Sequence, residues 1–323
     1  MMAQPGDPRP LGLAGRLRRR WRERNPVTIC VPAYKSADVI GETLQSIAAQ
    51  TYRNIRVLIS LDPSCDATDQ VCAPFLADPR FRLVRQAERL GWPNNVNWLL
   101  DQVRTGYYCI IFHDDVIDPD YVARLMRCLR REPDILCAYP LLKHFGNTPS
   151  ETHIAGLDGE KFERALHFFS LPLNSVPIRG LTRIEALRRG LRLREMETGG
   201  YIAEALYVFE LALLGKSRRV KRTSYHSRYR PGSVSKEWQK WSADRKRAGW
   251  RHLLREFRAI IIRQDFTDLQ RSALLEAALP WAYQLQGWLP SDASERAAVA
   301  EPARRAALAQ AWRDDPEGNP PLL

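Results

Sequence analysis

Between Pro26 and Phe112, short apolar runs alternate with segments of helical period, and this alternation restricts the chain to an α/β architecture. Val27-Thr28-Ile29-Cys30-Val31 reads as a first strand, broken by Pro32. Ala37 to Gln50 is predicted helical through Ile40, Leu44 and Ile47. Ile55 to Leu61 is the second strand, followed by the turn-rich Asp62-Pro63-Ser64-Cys65-Asp66. A helix through Val71 to Leu76 leads to a short strand, Phe81 to Val84. A helix over Gly91–Val103 then precedes the strand Tyr107–Phe112. Strands that alternate with helices imply right-handed crossovers and a parallel sheet, whose ligands bind at the carboxyl ends of the strands.

The residues just past each strand are therefore the first candidates for a site. The first strand ends in Pro32-Ala33-Tyr34, the second at Asp62, the third at Arg85 with Arg89 beyond, and the fourth at His113-Asp114-Asp115. Adjacent carboxylates repel each other and resist burial unless a cation or hydrogen bonds hold them. A hard divalent ion carrying phosphate oxygens would do both. Taken alone, the pair fits an Asp cap on the following segment equally well, because Val116 to Tyr121 looks like a turn entering a helix. An aromatic to stack a base, an acid to accept from its ring N–H, cations, and paired acids for a metal together make a nucleotide-diphosphate site. Each is weak by itself; their ordered recurrence after successive strands is what points to one crevice.

The bulk properties set the partner class. A formal charge of +12 and a pI near 9.7 favour an anionic partner. The surplus is spread over Arg16–Arg22, Lys216–Arg230 and Lys236–Arg258, and no zinc-finger, RNP or helix-turn-helix pattern accompanies it, so nucleic acid is not expected. The segment 1–25 is basic, and Leu13, Leu17 and Trp21 share a helical stripe that could lie on an anionic membrane; a solvated terminus is the simpler expectation. Its charges are followed by Trp21-Arg22-Glu23-Arg24 and not by an apolar stretch, so no leader is expected. Six cysteines without a CxxC pair suggest buried small hydrophobes in a reducing cytoplasm.

After Arg131 the pattern loosens. A helix is predicted over Gly180–Leu191 and a strongly apolar one over Ile202–Leu214, stopped by Gly215; Arg219–Arg222 suggests a strand. Lys236 to Gln286 reads as two or three tryptophan-rich helices, and 291–323 as a helix with a loose end. The expected organisation is 1–25 as a basic segment, 26–130 as a nucleotide-binding half, 131–235 as a second half and 236–323 as a helical region.

Val27-Thr28-Ile29-Cys30-Val31-Pro32-Ala33-Tyr34, the Leu44-to-Tyr52 helix, the Asp62 turn, Gly91–Asn97 and Ile110–Asp120 together resemble family 2 glycosyltransferases. The resemblance is close over about residues 26–125 and looser over Gly180–Ser235. It implies a GT-A fold, which is Rossmann-like with a mostly parallel sheet flanked by helices, here extended by C-terminal helices. It also implies a nucleotide-diphosphate sugar donor (a UDP-sugar favoured) with its site in 26–130, a hydroxyl acceptor with its site in 131–235, Mn²⁺ or Mg²⁺, and inversion at the anomeric carbon. The transferred group would be a hexose or N-acetylhexosamine, in cell-surface polysaccharide or glycolipid synthesis, at the cytoplasmic side with peripheral membrane contact.

By position, the resemblance makes Tyr34 the residue that stacks on the base, with Pro32 and Ala33 also in the donor site and Asp62 on the base N–H. Asp114 would take the ribose or the metal, and Asp115 would be the direct metal ligand. Arg85 and Arg89 are further donor candidates. Arg228 and Arg230, in Ser227-Arg228-Tyr229-Arg230-Pro231-Gly232, would clamp the diphosphate. The family's Glu-Asp pair falls on Ala203-Glu204, which makes Glu204 the general base, with Glu195 and Glu197 as substitutes. A glutamate opening a helix is also favoured by the helix dipole alone. Two further departures stand out: Leu61 precedes Asp62 where a second acid is common, and Phe112 occupies a place where the family often has Asp. Those losses keep open an alternative from another class, a nucleotide-sugar or membrane-surface binding protein that kept the fold without the turnover. Nucleotidyl transfer is disfavoured by the lack of an early glycine-rich, lysine-containing phosphate loop.

Overall fold

The computed structural model describes residues 25–146, 149–152, 154–172, 175–196, 199–229 and 234–322. The basic segment before Asn25, and with it the Leu13-Leu17-Trp21 stripe, lies outside the described residues, as do Glu197 and Arg230.

The first strands and helices follow the sequence closely. β1 (Val27–Ala33), α1 (Ile40–Ala48), β2 (Ile55–Leu61), α2 (Thr68–Cys72), β3 (Phe81–Arg85), α3 (Trp92–Asp101) and β4 (Tyr107–Ile110) occur in that order. β1 pairs in parallel with β2 on one side and with β4 on the other, and β2 pairs in parallel with β3. The order β3-β2-β1-β4 reverses direction beside β1, which opens a crevice between the carboxyl ends of β1 and β4. Every residue of β1 and β4 is buried. The reason is the alternation of their side chains: Ile29, Val31 and Cys109 pack with Ile40, Leu44 and Ile47 of α1 on one face. Cys30, Tyr108 and Ile110 pack with Val96, Leu99 and Leu100 of α3 on the other. Cys30, Cys72, Cys109 and Cys137 are buried thiols, in keeping with a packing role.

The second half completes the same sheet. β5 (Val116–Ile117), α4 (Tyr121–Arg131), β6 (Ile135–Gly146), β7 (Ser150–Thr152), α5 (Lys161–Ser170), β8 (Leu181–Arg183), α6 (Glu185–Arg188), α7 (Ala203–Leu214) and β9 (Lys216–Tyr229) come next in the chain. The path continues β4-β8-β6-β9-β5, with β7 paired to β6. β6 and β9 run parallel, whereas β8 is antiparallel to both β4 and β6.

Two expectations change here. Residues 180–191 are not one helix but a short strand followed by one helical turn. Gly180 accounts for this: a Cβ there would lie 2.6 Å from Cys137 Sγ and 2.8 Å from the Ala138 carbonyl, so the chain is pressed against β6, where strand pairing satisfies its backbone. The strand expected over Arg219–Arg222 extends over 216–229, and its many charged residues conceal it from a hydrophobic pattern.

Beyond the sheet, α8 (Val234–Gln239), α9 (Ala243–Arg263), α10 (Asp268–Pro280), α11 (Ala293–Ala300) and α12 (Pro302–Asp314) form the C-terminal helical layer. Its aromatics are core. Phe257 and Trp281 interlock with Phe168 and Phe169 of α5 and Phe209 of α7, with ring centroids 5.2 to 5.9 Å apart. Among the described residues no helix is long and apolar enough to cross a membrane.

Candidate active site

Three backbone ties draw the carboxyl ends of β2, β1 and β4 together. The Asp62 N–H donates to the Ala33 carbonyl (3.0 Å), and His113 Nδ1 lies 3.1 Å from the Pro32 carbonyl. The Thr43 hydroxyl of α1 donates to the His113 carbonyl (2.8 Å), which fixes the turn carrying the paired acids. Pro32 and Ala33 are buried, Tyr34 is half-buried, and Lys35 turns the chain at φ 45°. A non-glycine residue held in that left-handed region marks a strained turn, and such turns concentrate at ligand sites.

Tyr34 and Asp62 are neighbours, as expected, and a third group joins them. The Arg89 guanidinium stands 4.2 Å from the centre of the Tyr34 ring. Asp62 is 1% exposed and accepts from the N–H groups of Leu90 (3.2 Å) and Gly91 (3.0 Å) at the start of α3. Burial raises its pKa, opposed by these two donors and by Arg89. Arg85 is not brought to this cluster: it is exposed and pairs with Asp69 at 2.7 Å.

The paired acids divide in role. Asp114 is half-buried, whereas Asp115 is 2% exposed. One Asp115 carboxylate oxygen accepts from the Arg228 N–H (2.9 Å), and the other lies 3.9 Å from Arg179 Nε. Tyr225 adds a hydrogen bond to Asp115, while its hydroxyl also accepts from the Phe112 N–H (3.0 Å). Burial first, and then the charge of Asp114, push the Asp115 carboxyl up; Arg179, the Arg228 N–H and Tyr225 work against them. The Arg228 side chain donates to the Asp114 carbonyl (3.1 Å) and to Glu42 (2.6 Å), so it braces the turn. Asp115 is thus held from the protein side, and Asp114 is the more accessible carboxylate of the pair. Among the described residues no three His, Cys, Asp or Glu side chains gather to hold an ion. Asp114 and Asp115 are the side chains of this turn that would hold a hard divalent ion, which would supply positive charge there.

Glu204 lies in the first turn of α7, within electrostatic reach of Arg179. It is half-buried in a helix whose neighbours Ala203, Ala205 and Leu206 are buried, and desolvation raises its pKa, opposed by its own N–H and by the charge of Arg179. The lead-in turns through the left-handed region, which Gly199 (φ 69°) and Gly200 (φ 87°) adopt freely and which strains the branched Ile202 (φ 57°). A Cβ on Gly200 would sit 2.4 Å from Trp92 Nε1 and 2.6 Å from Pro93 Cγ. Gly200→Ala is therefore expected to cost about 1–3 kcal/mol, read as a drop of several degrees in Tm. An unchanged Tm would mean that the lead-in yields freely. Glu195 is exposed and bound by the Asn94 amide (3.2 Å).

Sequence reasoning missed the residue that links the two halves. Arg179, at the end of a 3-10 turn (Val176–Arg179), presents its guanidinium 5.1 Å from the Phe112 ring and 5.5 Å from the Tyr225 ring, beside Asp115 and within electrostatic reach of Glu204. Its Nε is buried with no hydrogen-bond partner among the described residues. Phe112, which stands where the family often has Asp, packs edge-on against Trp92 with ring centroids 6.4 Å apart. The available signal was a single arginine closing the apolar Val176-Pro177-Ile178, with nothing periodic around it.

An aromatic, a buried acid and a paired-acid turn lie at the switch point of a mostly parallel sheet, and that sheet with its flanking helices has the GT-A type of fold. Residues 28–187 match the model of glycosyl transferase family 2, and through them the chain belongs to that family. The glycosyltransferase GlyA of Streptococcus pneumoniae is 25% identical over 232 residues, which cover 67% of this chain and 32% of GlyA. The curated relatives are longer than the matched part, which spans 65% of EpsH from Bacillus subtilis. In fold, the chain is similar to S. aureus TarS 1–349 in complex with UDP-GlcNAc (TM-score 0.62, 15% identity, 80% of this chain and 72% of that one). It is also similar to the mannosyltransferase PcManGT from Pyrobaculum calidifontis in complex with GDP-Man and Mn²⁺ (TM-score 0.56, 17% identity, 89% and 79%).

Proposed function

We propose that the chain is an inverting glycosyltransferase that moves a sugar, of the hexose or N-acetylhexosamine type, from a nucleoside-diphosphate sugar to a hydroxyl acceptor. The observation that carries this reading is the gathering of Tyr34 with Arg89, Asp62 and the Asp114-Asp115 turn along one crevice, with Glu204 within electrostatic reach of Arg179 beside Asp115. Tyr34, with Pro32 and Ala33 behind it, receives the base, and Asp62 keeps acceptor capacity for a ring N–H beyond its two backbone donors. Asp114 and Asp115 would hold Mn²⁺ or Mg²⁺, which when bound would neutralise charge on the departing diphosphate. Arg228 fixes that turn, and Arg230 is its proposed companion at the diphosphate. Glu204, kept basic by desolvation, takes the proton of the acceptor hydroxyl as the oxygen attacks the anomeric carbon. A single displacement of this kind inverts the centre without a covalent sugar intermediate. UDP-sugars remain the favoured donors, with GDP-sugars the next to try, since the two structural neighbours carry one of each.

The test is a thermal-shift screen of nucleotide sugars with and without Mn²⁺, followed by product analysis. A donor should raise Tm, and Mn²⁺ should raise it further. Asp114→Asn and Asp115→Asn should each remove the Mn²⁺-dependent part and lower turnover by roughly 100-fold or more. Full metal stimulation in both variants would sink the assignment of the pair. The competing reading, a binder without turnover, is favoured by the fact that Asp62 and Asp115 are already held by protein donors. Binding without any transferred or hydrolysed sugar would establish it.

A further inference from the structure

A second charged site lies away from the crevice, and nothing in the transferase reading uses it. A cavity of about 520 Å³ separates the outer face of α4 from the first part of β9, and its wall carries seven basic side chains against the single acid Glu132. Arg124, Arg127 and Arg131 are spaced three and four apart, so they share one face of α4. The opposite wall is made by an irregularity in the sheet. Val220 lies opposite Pro140 and Ser224 opposite Leu141, so Lys221, Arg222 and Thr223 bulge out of the ladder. Lys221 and Arg222 are exposed there.

The compensation is incomplete. Arg124 pairs with Asp120, and Arg218 pairs with Glu132 at 2.9 Å. Arg127, Arg131, Lys221 and Arg222 form no ion pair with a described acid. Like charges at helical spacing repel one another, as do charges facing each other across a cavity, so the arrangement is stabilised when an anion fills it. A group with one negative charge would answer only one of the four. A phosphate or diphosphate carries two or more charges and accepts paired N–H groups from arginine forks.

The site is separate from the donor crevice. Arg228, at the paired acids, lies opposite Phe145 of β6, while Arg219 in the cavity lies opposite Tyr139. Six residues of strand separate those levels, or roughly 20 Å.

We propose that this cavity is an anion site for a phosphate-bearing ligand, distinct from the nucleotide-sugar crevice. The ligand is either the headgroup of an anionic lipid or a soluble phosphate ester, and the experiment separates these sources. The quadruple variant Arg127→Gln, Arg131→Gln, Lys221→Gln, Arg222→Gln is compared with the unaltered chain and with a control, Arg56→Gln, Arg82→Gln, Arg188→Gln, Arg304→Gln, which removes the same charge from exposed positions elsewhere. Pyrophosphate binding is measured by calorimetry without added metal. Vesicle binding is measured by co-sedimentation with phosphatidylcholine, with and without phosphatidylglycerol. The cavity variant should bind pyrophosphate more than about tenfold more weakly while the control binds normally. Loss of phosphatidylglycerol-dependent sedimentation in the same variant identifies a headgroup; no sedimentation of any chain identifies a soluble ester. Unchanged pyrophosphate affinity in the cavity variant, or an equal loss in the control, overturns the proposal. If the quadruple variant lacks a cooperative thermal transition, the pair Arg131→Gln, Lys221→Gln, one from each wall, replaces it with the same criteria.

Discussion

Replacing Glu204 by glutamine is expected to lower sugar transfer by about 10³-fold, within the usual range for losing a general base, while donor affinity changes little. The expectation rests on where the side chain sits. Glu204 interrupts an otherwise apolar first turn of α7, and desolvation raises its carboxyl pKa, opposed by its own N–H and by Arg179. A base must be deprotonated, so the rate should fall as the pH drops through the raised pKa of Glu204. The acid limb of kcat/KM should accordingly lie above the pH at which an exposed glutamate titrates, and it should disappear in Glu204→Gln. The amide keeps the size and the polar outline of the side chain, so Tm and donor-induced stabilisation should stay close to those of the unaltered chain. Transfer surviving at more than a tenth of the original rate would remove Glu204 from the role. Glu195, which the Asn94 amide holds at the surface, would be next to test.

A glutamate at the place of the family's Glu-Asp pair was legible in the sequence, as was much of the sheet. β1 and β4 are buried on both faces, and β2 is buried except at the exposed Arg56 and half-buried Leu58, so all three appear as largely apolar runs, and the residues after them fall at the crevice by topology alone. What the sequence could not supply is the state of each carboxylate. Asp62 and Asp115 look open in the bare sequence, yet the Leu90, Gly91 and Arg228 N–H groups reach them from far along the chain. β9 was read too short because a strand carrying Arg218, Arg219, Lys221 and Arg222 violates the apolar pattern, although Ser224 and Tyr225 are buried and Tyr225 completes the site. Arg179 left no periodic trace, since a residue in a 3-10 turn belongs to no repeating face.

Arg179→Met is expected to reduce kcat/KM by roughly 100-fold, about 2.7 kcal/mol of transition-state stabilisation, with a smaller loss of stability. Methionine fills most of the same volume and can still pack on Phe112 and Tyr225. The guanidinium makes a hydrogen bond to the Ser175 carbonyl (3.2 Å) and leaves Nε without a hydrogen-bond partner among the described residues, so its loss should cost only about 1–2 kcal/mol of folding free energy. Function is affected differently, because Arg179 is the cation facing both Asp115 and Glu204. It is a positioning residue, and the pH profile distinguishes that role from simple damage to the fold. A neighbouring cation lowers a carboxyl pKa, so removing Arg179 should raise that of Glu204 and move the acid limb of kcat/KM to higher pH. Arg179→Lys keeps the charge without the planar stacking, and should restore the position of the limb while recovering only part of the rate. If Arg179→Met keeps the rate within about threefold, or lowers it with no shift of the limb, Arg179 is a packing residue and Glu204 is tuned by burial alone.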